Sequence, residues 1–323
     1  MNEAPPIDPA QQPDTDAVSF DLKHALSSIV SVQSKIPENG FTAQTLGTER
    51  AGHGIVIGDR GLILTIGYLT VEAETIWLVD HTGAAVAGHV RGYDQETGFG
   101  LIQAMGTLNA PIMELGKSSD LSIGDDVILA GHGGRSGAIN ARVAAKQEFT
   151  GYWEYLLSEA ILTTPPHPFW GGSALITETG KLGGIGSLFV QQNDVDGLPF
   201  DGNMVVPIDL LPPILDDLMT YGRVNKYARP WLGILTAEVS KNLVIAGVVG
   251  NGPGQHAGLE VGDILHAIDG RPIEDLATFY RELWGLGDAG VIVMLTIYRD
   301  DKVFEASVQS GDRDTFMVKP SFH

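Results

Sequence analysis

A chain with no cysteine offers neither a disulfide, nor a thiolate metal site, nor a cysteine nucleophile. The stretch best suited to nucleophilic chemistry is TTPPHPFWGGSALI, Thr163 to Ile176, in which Ser173 follows two glycines. A serine attacks only with a base to take its proton, an acid to orient that base and backbone amides to hold the oxyanion. His167 heads the same stretch, and His53 and His132 sit in two other glycine-flanked segments, GHG and GHGG. Imidazoles brought together from three loops can hold Zn²⁺ or another borderline cation, whereas scattered ones are ordinary polar loop residues. No cofactor is expected.

The elements that must position these groups are mainly strands. At 323 residues there is room for two domains, each with its own core. Forty-one glycines against 19% charged residues favour turn-rich β architecture over helical bundles. A formal charge of −20 argues against nucleic acid, which needs a basic patch, and against an anionic membrane surface. No apolar run reaches the roughly eighteen residues of a membrane span. The first twenty residues carry neither a basic nor an apolar block, so they do not read as a signal peptide. As written the chain is expected to be cytoplasmic; a processed exported form with an artificial start would look the same, which leaves the periplasm open.

Residues 1–20, with four prolines and four acidic side chains, are expected to be a disordered arm. Short apolar runs such as GIVIGDRGLILTIGYL, TIWLVDHTGAAVAGHVRGYD and SALITETGKLGGIGSLFV then recur, with hairpin turns expected at Asp59-Arg60-Gly61 and Glu178-Thr179-Gly180. Leu211, Ile214, Leu215 and Leu218 give one helical apolar face, stopped at Gly222. A linker at 223–226 leads to a second domain at 227–312, read as strand, strand-turn-strand, helix and strand pair, with a tail at 313–323 that has no clear element.

The order of these segments resembles the HtrA (Deg) type of trypsin-like serine protease carrying a PDZ domain. GHGIVIGDRGLILT resembles that family's opening hairpin, VRGYDQETGFGLIQ its aspartate segment, LGKSSDLSIGDDVILAGHGG its mid-chain region and GNMVVPI its closing strand. The resemblance implies a mainly β fold, a trypsin-like double β-barrel over 21–222 followed by an α+β PDZ domain over 227–312. It also implies a homo-oligomer, a trimer in that family.

The family's triad falls on Tyr68, Gly98 and Gly171, and its oxyanion-hole glycine on Phe169. A phenol with a pKa of about 10 keeps its proton at neutral pH, and glycine can neither attack nor orient. The resemblance therefore implies a catalytically inactive member, not an enzyme, serving as scaffold, chaperone or regulatory subunit. The alternatives are an endopeptidase using Ser173 as a displaced nucleophile, and a metal site at His53, His132 and His167, whose segments converge near the oxyanion hole in this family. Phe169 and Trp170 either plug the pocket or fill the core, the second being favoured.

In the PDZ-like part the resemblance keeps its peptide groove. Arg229-Pro230-Trp231-Leu232-Gly233-Ile234 matches the loop whose amides take a ligand's terminal carboxylate while the ligand adds to the sheet edge. Trp231, Leu232, Gly233 and Ile234 are expected to bind peptide, together with Leu276 and Tyr280 of the helix DLATFYRELWGL. The expected partners are proteins or peptides, not nucleic acid and not membrane.

Overall fold

The computed structural model describes residues 7–193 and 197–318. Among these, residues up to Glu148, Ser158–Asn225 and Val318 form one compact unit, and Phe149–Leu157 with Lys226–Met317 form another. The first unit holds two closed barrels. One is built from β1 (Ile29–Lys35), β2 (Glu49–Gly58), β3 (Leu62–Ile66), β4 (Thr75–Val79), β5 (Ala85–Tyr93) and β6 (Phe99–Ala104), in the order β1-β2-β3-β6-β5-β4. The other uses β7 (Asp126–Ala130), β8 (Ala138–Gly151), β9 (Tyr155–Thr164), β10 (Ala174–Ile176), β11 (Leu182–Asn193) and β12 (Pro199–Pro207), in the order β10-β11-β12-β9-β8-β7.

Local sequence explains the joints. Arg60 and Gly61 take φ of 59° and 73°, the left-handed pair that matches a tight turn to the twist of β2 and β3. All five residues of β3 are buried, as its unbroken apolar run requires. Helix α1 (Leu22–Ser27) starts where the Asp21 carboxylate accepts from His24 N–H at 2.9 Å. After the short α2 (Ala43–Leu46), α3 (Pro212–Tyr221) ends at Gly222, whose φ is 75°. Of its expected apolar face only Leu218, with Leu211 just before the helix, is buried.

The expectation of a disordered arm is corrected over residues 7–20; residues 1–6 lie outside the described part. Ile7 is buried with Leu121, Val127 and Leu129 in the core of the second barrel. Gln11 O accepts from Asn140 N–H at 2.8 Å, and Pro13 O accepts from Arg135 Nε at 2.8 Å. The segment docks through its carbonyls, so proline's missing N–H costs it nothing there.

The second unit is a sheet of β13 (Ile234–Val239), β14 (Asn242–Val248), β15 (Ile264–Ile268), β17 (Ile292–Arg299) and β18 (Lys302–Gln309), in that order, with β16 (Arg271–Pro272) paired to β15. α4 (Pro253–His256) and α5 (Leu276–Gly285) complete it. Strand β13 lies at the sheet edge, and α5 packs against it. The Asp275 carboxylate caps α5 by accepting from Thr278 N–H at 2.6 Å, and Phe279 and Leu283 sink its apolar face into a core with Ile245, Leu265 and Leu295. The tail, expected to lack structure, forms a turn at Arg313–Phe316 that sets the Phe316 ring 4.6 Å from that of Trp231. Residues 319–323 lie outside the described part.

Candidate functional site

Tyr68, Gly98 and Gly171 come together at the seam between the two barrels. Gly171 O accepts from His53 N–H of β2 at 2.9 Å, and a Cβ on Gly171 would collide with Tyr68 Oη. The phenol thus fills the volume that a side chain at 171 would need. Its hydroxyl donates to Ser187 O at 3.3 Å, and burial pushes its pKa further up. Gly98 adjoins through its carbonyl, which accepts from Gly67 N–H at 2.6 Å. The nearby Asp94 carboxylate is spent on its own turn, accepting from Thr97 N–H and Oγ1, each at 2.8 Å. A phenol and two glycines make no nucleophile–base pair here.

The loop that carries Tyr68 is held by a residue that sequence reading passed over. Arg50, only 6% exposed, donates through Nη1 to Tyr68 O at 2.7 Å and through Nη2 to Thr42 Oγ1 at 2.7 Å. Glu72 accepts from Thr42 N–H at 2.7 Å, which completes a buried charge-bearing cluster. An arginine in a barrel strand between Glu49 and Ala51 gives no sign in the sequence that it turns inward.

Ser173 is fully buried and its hydroxyl donates to Trp170 O at 2.9 Å, a bond that tightens the turn. Phe169, for which core filling was favoured, is 42% exposed, and Trp170 sets its ring against Phe189 with centroids 5.9 Å apart. Core filling is therefore corrected for Phe169: its backbone, with N–H donated to His167 Nδ1 at 3.0 Å, faces the loop while the ring meets solvent. That amide, which would have to point at an oxyanion, is already engaged.

The three histidines do converge in part, yet their ring nitrogens are turned to the backbone. His53 Nδ1 accepts from His132 N–H at 3.0 Å, and His167 Nδ1 accepts from Phe169 N–H. His132 Nε2 lies 3.1 Å from Asp80 O, and His167 Nε2 lies 2.9 Å from Gly137 O. The His53 and His167 rings meet edge to face at 6.5 Å. Among the described residues there is no group of three or more side chains placed to hold a metal ion. Two of the three imidazoles, His53 and His167, spend their Nδ1 lone pairs on amide protons, and no such group being present among the described residues corrects the metal expectation. Burial first, then His167 and His132, pulls His53 down to about 3, and its Nε2 is buried without a partner.

In the second unit, the Leu232 carbonyl accepts from Gly254 N–H at 2.7 Å and the Gly233 carbonyl from Val249 N–H at 2.8 Å. Gly233 has φ 68°, and a Cβ there would meet Trp231 and Pro253 at 3.2 Å. Trp231 is buried and bridged to Gly311 in both directions, at 3.0 and 2.8 Å, so its N–H is not available to a ligand. Leu276 and Tyr280 lie on α5 and are buried; Tyr280 Oη bonds to the tip of the β8–β9 hairpin. That tip, Gly151 to Glu154, belongs to the second unit, which the sequence reading did not foresee. Its cluster of Tyr152, Trp153 and Tyr155 at a turn was the available signal.

Two closed six-stranded barrels meeting at the Gly171 loop, with a six-stranded sheet and α5 after them, define a trypsin-like peptidase fold and a PDZ domain. The family model described as a trypsin-like peptidase domain matches residues 52–185, and the PDZ domain model matches 230–309. In sequence the chain resembles HtrA-type proteases, and in fold it is similar to their solved structures. It is 27% identical over 279 residues to a probable periplasmic serine endoprotease DegP-like of Pseudomonas putida (strain GB-1), covering 80% of this chain and 56% of the relative. It is 23% identical over 310 residues to a serine protease HtrA-like of Staphylococcus epidermidis, covering 86% and 52%. The chain thus spans about half the length of these relatives. Among solved structures, the HtrA-type protease AlgW with decapeptide superposes with a TM-score of 0.52 at 19% identity, over 91% of this chain and 99% of that one. The serine endoprotease from Yersinia pestis gives 0.51 at 19%, over 91% and 99%.

These names overturn the expectation that the chain is not an enzyme, since the relatives are called a probable serine endoprotease and a serine protease. The substitutions remove one mechanism, the triad, and that alone does not take a chain out of its class. The expected cytoplasmic location has no support either, because the Pseudomonas relative is called periplasmic. Among the described residues no helix is long and apolar enough to cross a membrane.

Two outcomes follow from this packing. Gly171→Ser should cost about 1–3 kcal/mol of stability by overpacking against Tyr68 Oη, and most of it should return in the Tyr68→Phe, Gly171→Ser double variant, read from chemical denaturation. His53, neutral in the folded state to about 3 but near 6.5 when unfolded, contributes stability that is present above 6.5 and lost as pH falls toward 3. Replacing it with Asn should flatten the decline of melting temperature between pH 6.5 and 4.

Proposed function

We propose that this protein captures peptides or unfolded chains by their C termini, through the groove between β13 and α5. The observation that carries the reading is the free edge of β13 running out of the rigid Leu232-Gly233-Ile234 loop. An extended peptide can add to such an edge while loop amides take its terminal carboxylate. The buried Leu232 and Ile234 suit an apolar last side chain. In that role the protein works as a scaffold, chaperone or regulatory subunit, as a homo-oligomer and, following the Pseudomonas relative's name, in the periplasm.

The test is fluorescence anisotropy with a labelled pool of decapeptides ending in free Val, Leu, Ile or Phe. Gly233→Glu adds a side chain where φ is 68° and where a Cβ already touches Trp231 and Pro253. It should weaken binding at least about tenfold, equivalent to about 1.4 kcal/mol, with unchanged circular dichroism. Equal binding by both proteins rejects the groove.

A second reading is carried by the relatives' names: the first unit cleaves what the second captures. Turnover of unfolded casein that a serine-directed fluorophosphonate stops, with its adduct mapped to Ser173 or another serine, supports it. Intact casein after prolonged incubation counts against it.

A further inference from the structure

Residues 7–20 lie along the second barrel as a peptide lies in a binding site. Ile7 is 7% exposed and shares the barrel's core with Leu121, Val127 and Ile139. A tight turn follows, in which Asp8 O accepts from Gln11 N–H at 2.9 Å and the Asp8 carboxylate accepts from Ala10 N–H at 2.9 Å. Beyond the turn the barrel holds the arm by its carbonyls. Asn140 donates from its N–H to Gln11 O at 2.8 Å and from Nδ2 to Gln12 O at 3.4 Å, and Arg135 Nε donates to the carbonyl of the buried Pro13 at 2.8 Å. One apolar anchor followed by a run of accepting carbonyls, with proline where no N–H is called for, is the pattern by which extended peptides are recognised.

The donors belong to a turn that reaches the seam. Arg135 sits in the Gly134–Gly137 turn between β7 and β8, and Gly137 O accepts from Gly131 N–H at 2.7 Å and lies 2.9 Å from His167 Nε2. His132, just before the turn, donates its N–H to His53 Nδ1, and His167 Nδ1 accepts from Phe169 N–H, both at 3.0 Å. Farther along the arm, Ser19 Oγ donates to Glu178 O at 3.0 Å, and the Phe20 ring covers Gly180, where a Cβ would strike it at 2.7 Å. The arm therefore ties down one turn before the Gly171 loop and one after it.

We propose that the second barrel carries a binding site for an isoleucine-anchored, proline-bearing extended segment, that this chain's own residues 7–13 fill it, and that its occupancy sets the order of the 167–171 loop at the seam. The site is separate from the groove of the second unit and does not depend on the peptide-capture reading. A tethered arm acts at high effective concentration, so the site is filled at rest. Taking the arm away frees Asn140 N–H and Arg135 Nε from their acceptors, and the loosening passes through Gly137 to His167 and the Phe169 amide.

The experiment uses the full chain as wild type, Ile7→Asp and Arg135→Ala, with hydrogen exchange resolved at single amides, and a labelled peptide of residues 5–16, PPIDPAQQPDTD. A charge at position 7 cannot stay in the apolar core, so in Ile7→Asp the amides of Asn140, Gly131, His132 and Phe169 should exchange about tenfold or more faster. The amides of Ile63 and Leu64 in β3 should keep their protection, which shows that the fold is intact. Arg135→Ala cuts the link to the turn and leaves the anchor, so it should speed Gly131, His132 and Phe169 but not Asn140. The peptide should bind Ile7→Asp at least about tenfold tighter than wild type, whose own arm competes, and should slow the four amides again. The same peptide with Ile7→Asp should do neither. Unchanged exchange at Asn140 in Ile7→Asp overturns the anchor, and faster exchange at Asn140 with Phe169 unchanged overturns the link to the seam. Equal binding of the peptide to both proteins, or to neither, overturns the site.

Discussion

The architecture of the first unit hangs on a close backbone approach. His53 N–H reaches Gly171 O across the barrel seam, Thr65 Oγ1 donates to His53 O, and Gly172 N–H donates to Gly186 O. Side chains have no room there. A Cβ on Gly172 would run into His53 O, and one on Gly52 into Gly171 O and Leu69. Buried backbone groups must be paired, and here the pairing of one barrel is supplied by the other. Glycine at 52 and 172 is the condition for that exchange, and everything at the seam is arranged around it.

Arg50 extends this constraint to Tyr68. Its guanidinium is desolvated, which lowers its pKa, while Glu72 raises it again. The cluster of Arg50, Thr42 and Glu72 holds the backbone of the Tyr68 loop from beneath, so the phenol is directed at Gly171 by a buried polar network. Such networks fix a single arrangement because any other leaves a charge unpaired.

Much of the architecture was legible because it is written in local chemistry. Asp59-Arg60-Gly61 is a turn for reasons internal to three residues, and Gly222 stops α3 because only a left-handed residue does so cheaply. The seam residues were legible through the order of segments, which placed Tyr68 and Gly171 opposite each other. What escaped the sequence depends on distant partners. Ile7 looks like one apolar residue in a proline-rich arm until the second barrel's core is there to receive it. His53, His132 and His167 look like ligands until the amides of His132 and Phe169 are seen to take the Nδ1 lone pairs of His53 and His167, and His132 Nε2 is seen to face the Asp80 carbonyl. Phe169 looks like core until its ring is found in solvent.

The hairpin tip also sets an order of events during synthesis. Glu154 and Tyr280 are separated by 126 residues of chain. At ribosomal speeds of about 5–20 residues per second, the tip waits roughly 6–25 s for its partner to be made. Tyr152, Trp153 and Tyr155 belong to a finished barrel strand pair on one side and to an unwritten domain on the other. The second unit is therefore discontinuous in time as well as in sequence, its oldest part waiting for the helix that receives it.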